Sequence, residues 1–354
     1  MFINKLKIYN FRNILNKEYR FNNKINIFYG KNGVGKTSIL EAINYLSSGK
    51  SFRKGNYKNL INYKAKDLTV YLQCMINNNL NTLSVNKNVN GIWTGKINQK
   101  KTKKLVNITN IFPVVSIDPE VYSLIDFGPI YRRNYLDWLV FHVKHDYIIL
   151  WKKVYKCIKQ LNILYKDKAS VKELQTWERS FINYSKELNS IRKETFNEVR
   201  SNIIELSFYM QNDIGDLSVE FKQGWPTRNS LEEQIKIDRS KNLLYGKLTN
   251  GPHKMDIKIK TNNLQASQIL SRGQKKILSM AFYMAYIKFL NSKDIFPILC
   301  LDDFDAELDS DKLIKAADFF KQQKTQIFIT SVQKEKILNA FPEADLFHVE
   351  QHFI

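Results

Sequence analysis

One segment near the start of the chain has the residue types that hold a nucleotide phosphate. Residues 30–37 fit the pattern GxxxxGK[ST] in full. In this pattern the glycines let backbone N–H groups wrap a phosphate, the lysine reaches the outer phosphates, and the hydroxyl is a ligand for Mg²⁺. We therefore predict that Lys36 binds ATP and takes part in catalysis, and that Thr37 binds ATP and Mg²⁺. The other expected phosphate-binding positions are Gly30, Lys31, Asn32, Gly33, Val34 and Gly35.

A pair of carboxylates far along the chain supplies the second part of such a site. The apolar run 297–301 is typical of a buried strand and ends in Asp302 and Asp303. A carboxylate at the carboxyl edge of a sheet lies where a phosphate-bound Mg²⁺ would be held. We predict Asp302 as a metal ligand and Asp303 as the residue that polarises the attacking water. Because many strands end in aspartate, the pair indicates this chemistry only together with the phosphate loop.

A third segment, residues 270–274, opens a predicted helix that runs to Leu290. A serine and a glycine amide at a helix start form an anion site suited to a γ-phosphate. The alternative is a plain helix-capping serine, a role that Ser271 also fits. The segment resembles the LSGGQ signature of ABC-type ATPases, with Arg272 in place of the first glycine. We expect Ser271 in catalysis and expect it to contact nucleotide together with Gly273 and Gln274.

The order of the remaining segments strengthens that resemblance. Residues 306–309 resemble the D-loop, whose Asp309 we expect near nucleotide, and residues 327–331 occupy the place of the switch strand. Arg53 resembles the arginine that other DNA-repair heads direct at the nucleotide, and no glutamine is a convincing Q-loop residue. In ABC-type heads the signature of one subunit closes on the phosphate loop of another. The resemblance therefore implies an ATP-dependent homodimer.

The elements that must position these residues follow from the periodicity. A compact apolar run, 25–29, precedes the phosphate loop, and a helical pattern, 38–46, follows it. Residues 131–213 contain neither glycine nor proline, which predicts a helical insertion. Strand-and-turn patterns resume after Gly215. The predicted fold is α/β, an ABC-type ATPase head with mixed sheets interrupted by a helical lid domain, with an N-terminal lobe (1–115), the lid (116–213) and a C-terminal lobe (214–354).

The charge balance favours a polyanionic partner. The 354 residues carry a formal net charge of +21, which indicates nucleic acid before a membrane. Abundant lysine, asparagine and isoleucine are also what an AT-rich genome would favour, so part of the excess has that alternative explanation. Arg132 and Arg133 are either lid contacts or surface charges at a helix start. The densest basic cluster is either a DNA contact or a solvated loop; it comprises Lys96, Lys100, Lys101, Lys103 and Lys104.

Other classes of protein are disfavoured by what the sequence lacks. No window approaches twenty uninterrupted apolar residues, and the first residues alternate like a strand rather than forming a signal-peptide core. The three cysteines, Cys74, Cys157 and Cys300, are far apart and form no CxxC pair. This pattern argues against a disulfide framework or a zinc site. We expect a soluble cytoplasmic protein without a membrane partner.

Further segments resemble the RecF family of bacterial DNA repair proteins over most of the chain. Lys254 replaces the family's usual arginine, which weakens any planar bidentate contact at that position. Asp303 stands where most ABC-type heads carry glutamate, which is normal for this family. The segments that carry the resemblance are 11–13, 33–43, 49–53, 118–120, Gly128-Pro129, Arg132-Arg133 before Leu136-Asp137, 251–254 with Asp256, and 271–274.

The family resemblance implies ATP-dependent binding of double-stranded DNA near single-strand gaps and single-strand–duplex junctions. It also implies work with RecR and RecO to load recombinase, in repair and replication restart, with weak DNA-stimulated ATP hydrolysis as a timer. One alternative is an ABC-type nucleotide-binding subunit with a non-DNA partner, such as a transporter subunit. The long separation of Lys36 from Ser271 disfavours it. A related ATPase with an added nuclease domain would need an acidic metal cluster beyond the strand near Phe347.

Overall fold

The computed structural model describes residues 1–53, 55–144, 146–211, 213–306 and 308–350. Its strands are β1 (Phe2–Phe11), β2 (Ile14–Arg20), β3 (Ile25–Tyr29), β4 (Asp67–Ile76), β5 (Asn79–Asn88), β6 (Trp93–Ile97), β7 (Lys100–Thr102), β8 (Val114–Ile117), β9 (Leu217–Lys222), β10 (Asp256–Thr261), β11 (Leu264–Gln265), β12 (Ile298–Leu301), β13 (Ile327–Ser331) and β14 (Asp345–His348). Its helices are α1 (Lys36–Ser48), α2 (Leu105–Ile111), α3 (Ser123–Asp126), α4 (Pro129–Val143), α5 (Tyr147–Lys166), α6 (Val171–Met210), α7 (Leu231–Tyr245), α8 (Ala266–Ile269), α9 (Arg272–Ser292), α10 (Ser310–Gln322) and α11 (Lys334–Ala340).

The chain divides into two compact units. The first comprises Met1–Val121 with Asp294–Ile354, and the second is Tyr122–Lys293. These units differ from the segments predicted from the sequence, because residues 214–293 belong with the helical residues rather than with the end of the chain. The reason is that α9 packs along α6 and β9 also contacts α6. Long-range packing of this kind cannot be predicted from local composition.

A parallel sheet of the first unit positions the chemistry. Its strand order is β14-β3-β13-β12-β8, and the four pairings between these strands are parallel. Strands β12 and β13 are buried along their whole length, which explains the apolar runs Ile298–Leu301 and 327–329. Because the strands run in one direction, the residues that follow β3, β8 and β12 meet at the same edge of the sheet.

An antiparallel sheet completes the first unit, with strand order β2-β1-β4-β5-β6-β7. Alternate residues of β1 and β4, such as Leu6 and Val70, pack into one core with Ile39 and Leu40 of α1. The basic cluster predicted from the sequence lies on and just after the β6–β7 hairpin, and its lysines are exposed. Lysines on a short edge strand discourage pairing with another chain. The structure therefore offers an explanation for this cluster that does not involve DNA.

The second unit is built around α6, whose 40 residues span about 60 Å at 1.5 Å per residue. Helices α4, α5, α7 and α9 all contact it, so the predicted helical insertion is confirmed. The prediction of strands and turns after Gly215 was incomplete, because it missed α7. That helix begins with a capping box between Ser230 and Glu233, a local signal that the sequence does contain. Within the described residues, no helix combines the length and hydrophobicity needed to cross a membrane.

Candidate functional site

The phosphate-loop segment lies between β3 and α1, as predicted. Gly35 directly precedes the helix with φ = 110°, a left-handed conformation that favours glycine. A Cβ at this position would also come within 2.8 Å of the Asn13 side chain. No described side chain caps the start of α1, so its first backbone N–H groups are available to an anion.

Lys36 is held inside this loop. Its Nζ donates to the carbonyl oxygens of Gly30, at 2.9 Å, and Lys31, at 3.0 Å. An ammonium group has three donors, so two of them fix the side chain and the third remains for a phosphate oxygen. Burial lowers the pKa of the Lys36 ammonium, and the nearby carboxylates of Asp303 and Asp302 oppose that shift. The predicted cation and the predicted acids therefore lie together.

Asp302 is the buried acid of the site. Its Oδ1 accepts a hydrogen bond from the Thr330 hydroxyl at 2.7 Å. Burial raises the pKa of the Asp302 carboxyl, while the hydroxyls of Thr330 and Thr37 act in the opposite direction. Thr37 and Asp302, which we predicted as metal ligands from positions far apart in the sequence, thus lie close together.

Asp303 turns away from the strand immediately after Asp302. Its φ of 44° is in the left-handed region, and its backbone N–H donates to the Thr330 hydroxyl at 2.7 Å. This turn places Asp303 in the wall of the pocket, whereas Asp302 stays buried. The neighbouring acids therefore occupy different environments, as their predicted roles require.

The loop opens into a pocket of about 830 Å³, within the size range of small-molecule sites. Lys36, Thr37, Arg53 and Asp303 all line it, as do Gly33 and Gly35 of the phosphate loop. The sequence analysis missed part of the wall, which is formed by Arg12, Asn59, Ile61, Asn62 and Tyr63. These residues follow β1 or precede β4, and no motif marks them as binding residues.

Asp118 is a further acid that the sequence analysis did not place at the site. It follows β8, which pairs with β12, and the backbone N–H of Asp302 donates to Ile117 one residue earlier, at 2.9 Å. Burial raises the pKa of Asp118 to about 6, the Asp302 carboxylate adds to that rise, and Arg53 opposes it. In the sequence, the only indication of this role is that Asp118 ends an apolar run. The pairing of β8 with β12 is what brings Asp118 close to Asp302.

Arg12 joins several of the family-like segments. Its guanidinium makes a bidentate ion pair with Glu41, at 2.9 and 2.6 Å, and Ser51 donates to the same buried carboxylate. The Ser51 hydroxyl in turn accepts from the backbone N–H of Arg53 at 2.8 Å. These contacts link the residues after β1, helix α1 and the segment that carries Arg53. Arg12, Glu41 and Ser51 therefore have a structural role, because their contacts hold these three segments together.

The signature-like segment lies in the second unit and begins α9. The backbone N–H of Gln274 donates to Ser271 Oγ at 3.2 Å, and the Gln274 side chain accepts from the Ser271 N–H at 2.9 Å. This capping box matches the alternative considered for Ser271. A Cβ at Gly273 would meet no described atom within 4 Å, so its backbone is open. Nucleotide contact by Ser271, Gly273 and Gln274 stays a prediction.

The D-loop-like segment is described except for Glu307, which lies outside the described residues. Asp309 accepts from the backbone N–H of Lys312 at 2.8 Å and caps α10. Asp305, which the sequence analysis did not single out, accepts from the Ser331 hydroxyl at 2.8 Å. The switch-strand residue Ser331 therefore holds the start of the D-loop. Nucleotide contact by Asp309 stays a prediction.

Arg132 and Arg133 make contacts within the second unit rather than acting as free surface charges. Arg132 forms a bidentate pair with Asp256, at 2.7 and 3.1 Å, and Arg133 donates to the Met255 carbonyl at 2.8 Å. The carbonyl of Pro252 accepts from Arg192 at 2.8 Å. Residues 251–256 are thus anchored to the helices by arginines.

Comparisons with known proteins identify the family of the chain. The family model described as the RecF/RecN/SMC N terminal domain matches residues 2–353. The DNA replication and repair protein RecF of Shewanella piezotolerans is 33% identical over 99% of this chain and 98% of its own length. The RecF protein of Pseudoalteromonas translucida is 31% identical over 99% and 97%.

Solved structures show the same fold. The recombination mediator protein RecF with ATP, from the RecFOR pathway, has a TM-score of 0.88 and 22% identity, covering 99% of this chain and 96% of that one. An Smc head bound to the C-winged helix domain of ScpA has a TM-score of 0.63 and 17% identity, covering 99% and 95%. The α/β fold is that of an ABC-type ATPase head, as predicted. The family match and the curated relatives place this chain in the RecF family.

Proposed function

We propose that this protein is an ATP-dependent DNA-binding ATPase of recombinational DNA repair and replication restart. The observation that carries the proposal is the convergence of Lys36, Thr37, Asp302 and Asp303 on one pocket edge. The curated relatives are DNA replication and repair proteins, and a solved relative of the same fold binds ATP. Together these support ATP as the nucleotide and DNA repair as the process.

In the proposed complex the phosphates of ATP lie against the loop before α1. The free donor of Lys36 and the uncapped N–H groups of α1 face the phosphates, and Arg53 adds a positive charge at the pocket wall. The remaining volume, lined by Asn62 and Tyr63 among others, is large enough for the nucleoside.

The donor set also fits Mg²⁺. The Thr37 hydroxyl and the Asp302 carboxylate lie close together and present the oxygen ligands that this ion prefers. Mg²⁺ is usually bound through one or two protein groups together with substrate phosphates, and this pair could supply those protein groups. When bound, Mg²⁺ would neutralise phosphate charge. Thr330 holds the Asp302 carboxylate in place.

Asp303 is the residue proposed to polarise the attacking water. It lines the pocket and its backbone is fixed by Thr330. We propose that hydrolysis is weak, stimulated by DNA, and times the release of a dimer. In that dimer Ser271 and Gly273 of one copy contact the γ-phosphate held by another copy. Only ATP carries this third phosphate, so only ATP shifts the monomer–dimer equilibrium.

The proposed DNA substrate is duplex DNA beside a single-strand gap or at a single-strand–duplex junction, with RecR and RecO as partners in loading recombinase. The net charge of +21 supports a polyanionic partner, and the name of the RecFOR pathway supports the two proteins. These assignments follow from the family and not from a described contact.

The test is binding of a fluorescent gapped duplex by the full chain with ATP and Mg²⁺, with ADP and Mg²⁺, and without nucleotide. We expect ATP to tighten binding at least tenfold relative to ADP. A fully paired duplex of the same length is the control for gap preference. Equal affinity in all nucleotide states would contradict ATP-dependent DNA binding. Absence of DNA binding in every state would favour a nucleotide-binding subunit with a non-DNA partner.

A further inference from the structure

Helix α5 has an unusual charge composition. Between Tyr147 and Lys166 it carries five lysines and no aspartate or glutamate. The adjoining helix α6 carries six basic and six acidic residues. A bias toward lysine from the genome would act on both helices alike, so it does not explain why α5 lacks acidic residues and α6 does not.

Four of these lysines share one face of the helix. Lys152, Lys156, Lys159 and Lys166 follow one another at intervals of four, three and seven residues, which places them in one row. All four are exposed. The row is roughly 21 Å long at 1.5 Å per residue. We refer to these four residues as the lysine stripe.

The lysine stripe is not neutralised within the protein. Across the described residues, none of its four ammonium groups forms an ion pair with a carboxylate, whereas other lysines of the same unit do. Lys236 pairs with Glu232, Lys288 with Glu205 and Lys293 with Glu198. A row of like charges without counter-ions in the protein repels itself, and a polyanion relieves that repulsion.

The opposite face of α5 is buried within the protein. Leu150, Val154, Cys157 and Leu161 are buried, and the helix packs against α6 and α7. A basic helix that binds a membrane surface inserts its apolar face into the lipid. Because the apolar face of α5 belongs to the core of the second unit, the charge pattern favours nucleic acid over a bilayer.

We propose that the lysine stripe binds the phosphodiester backbone of duplex DNA. This inference rests on the proposed DNA-binding function and gives that function a surface. Duplex DNA carries one charge per roughly 1.7 Å of axis, so about twelve phosphates lie along the length of the stripe. Lysine is a flexible point charge rather than a planar fork, which suits binding that does not depend on base sequence.

The test compares two variants that lose the same charge. The stripe variant carries Lys152→Gln, Lys156→Gln, Lys159→Gln and Lys166→Gln. The matched control carries Lys172→Gln, Lys186→Gln, Lys193→Gln and Lys241→Gln, all exposed lysines on α6 and α7. Glutamine keeps good helix propensity. Duplex binding is measured with ATP and Mg²⁺ over a range of salt concentrations, and thermal melting and ATP affinity show that each variant is intact.

We expect the stripe variant to lose at least tenfold in duplex affinity. For this variant, the slope of log affinity against log salt concentration should become less steep by about 3 to 4, since each neutralised phosphate contributes about 0.9 to the slope. The control should flatten by less than about 1. Equal duplex affinity and equal salt dependence of the two variants would contradict DNA binding by the lysine stripe, while leaving the DNA-binding function of the chain intact.

The two failures are distinguishable. If the parent chain binds no DNA under any nucleotide condition, the proposed function fails and the stripe proposal fails with it. Vesicles of anionic phospholipid provide a second probe. Stripe-dependent binding to vesicles by a parent that binds no DNA would assign the stripe to a membrane surface and overturn the proposal.

Discussion

Thr330 and Asp302 are joined by a buried hydrogen bond of 2.7 Å, in which the threonine hydroxyl donates to the carboxylate. The same hydroxyl accepts from the backbone N–H of Asp303 at 2.7 Å. One side chain on β13 therefore sets the positions of both acids that follow β12. Thr330 belongs to the segment, residues 327–331, that resembles the switch strand of ABC-type heads.

We predict that Thr330→Val slows ATP hydrolysis at least tenfold and lowers the free energy of unfolding by about 1–3 kcal/mol, because it leaves a buried carboxylate and a backbone N–H without their partner. Thr330→Ser keeps the hydroxyl and is the control. Steady-state hydrolysis and denaturant unfolding measure the two effects. If the valine and serine variants hydrolyse ATP equally, the hydroxyl does not position the acids.

Replacing Lys36 tests the phosphate loop. Lys36→Ala removes the cation whose remaining donor faces the phosphate site, and we expect ATP affinity to fall at least a hundredfold. Lys66→Ala, an exposed lysine of the same unit outside the pocket, should bind ATP as the parent does. Titration with a fluorescent ATP analogue decides between them, and unchanged affinity of the Lys36 variant would refute the assignment.

Ser271→Asp separates helix capping from phosphate contact. Aspartate caps a helix as well as serine does, so melting temperature should change little. Its negative charge would repel a γ-phosphate, so ATP-dependent dimerisation should be lost while ATP binding by the monomer persists. Sedimentation with ATP and Mg²⁺ provides the measurement. A Ser271→Asp variant that dimerises like the parent would leave Ser271 as a helix cap alone.

Asp303→Asn should have the opposite effect on the dimer. The amide is a weaker base than the carboxylate, so the water would no longer be activated and the ATP-bound dimer should persist for longer. We expect hydrolysis to fall at least a hundredfold while ATP affinity changes less than threefold. Dimer lifetime after dilution into ADP is the readout. A variant that hydrolyses ATP at the parental rate would exclude Asp303 as the residue that activates water.

The burial of His142 leads us to predict that the free energy of unfolding depends on pH. It is buried against the rings of Trp138 and Phe141, and burial lowers its pKa to about 4 from the ordinary 6.5. As pH falls, the imidazole is therefore protonated in the unfolded chain at a higher pH than in the folded chain. Protonation of the unfolded chain lowers the free energy of unfolding, so stability that is present above pH 6.5 is lost as pH falls toward 4. Relative to His142→Phe, the parent should lose about 2 kcal/mol between pH 7.5 and pH 5. Parallel pH dependence of the two proteins in denaturant unfolding would contradict this.

The sequence by itself determined the class of fold and the principal chemical groups. Residues 30–37 are contiguous, and the run ending in Asp302 and Asp303 is contiguous too. Loop geometry, strand burial and helix starts of this kind depend on neighbours within a few residues. For that reason β3, α1, β12 and α9 formed where the patterns predicted them.

Only the tertiary structure decided which distant groups meet. Asp118 lies beside Asp302 because β8 pairs with β12, and Arg12 meets Glu41 because the turn after β1 lies against α1. The division of the chain at Tyr122 and Lys293 likewise depends on α9 packing along α6. Such contacts join residues separated by tens to hundreds of positions, and their free energy depends on the complete packing of a unit. No local pattern records that packing, so the position of Asp118 and the outer wall of the pocket emerged only from the folded chain.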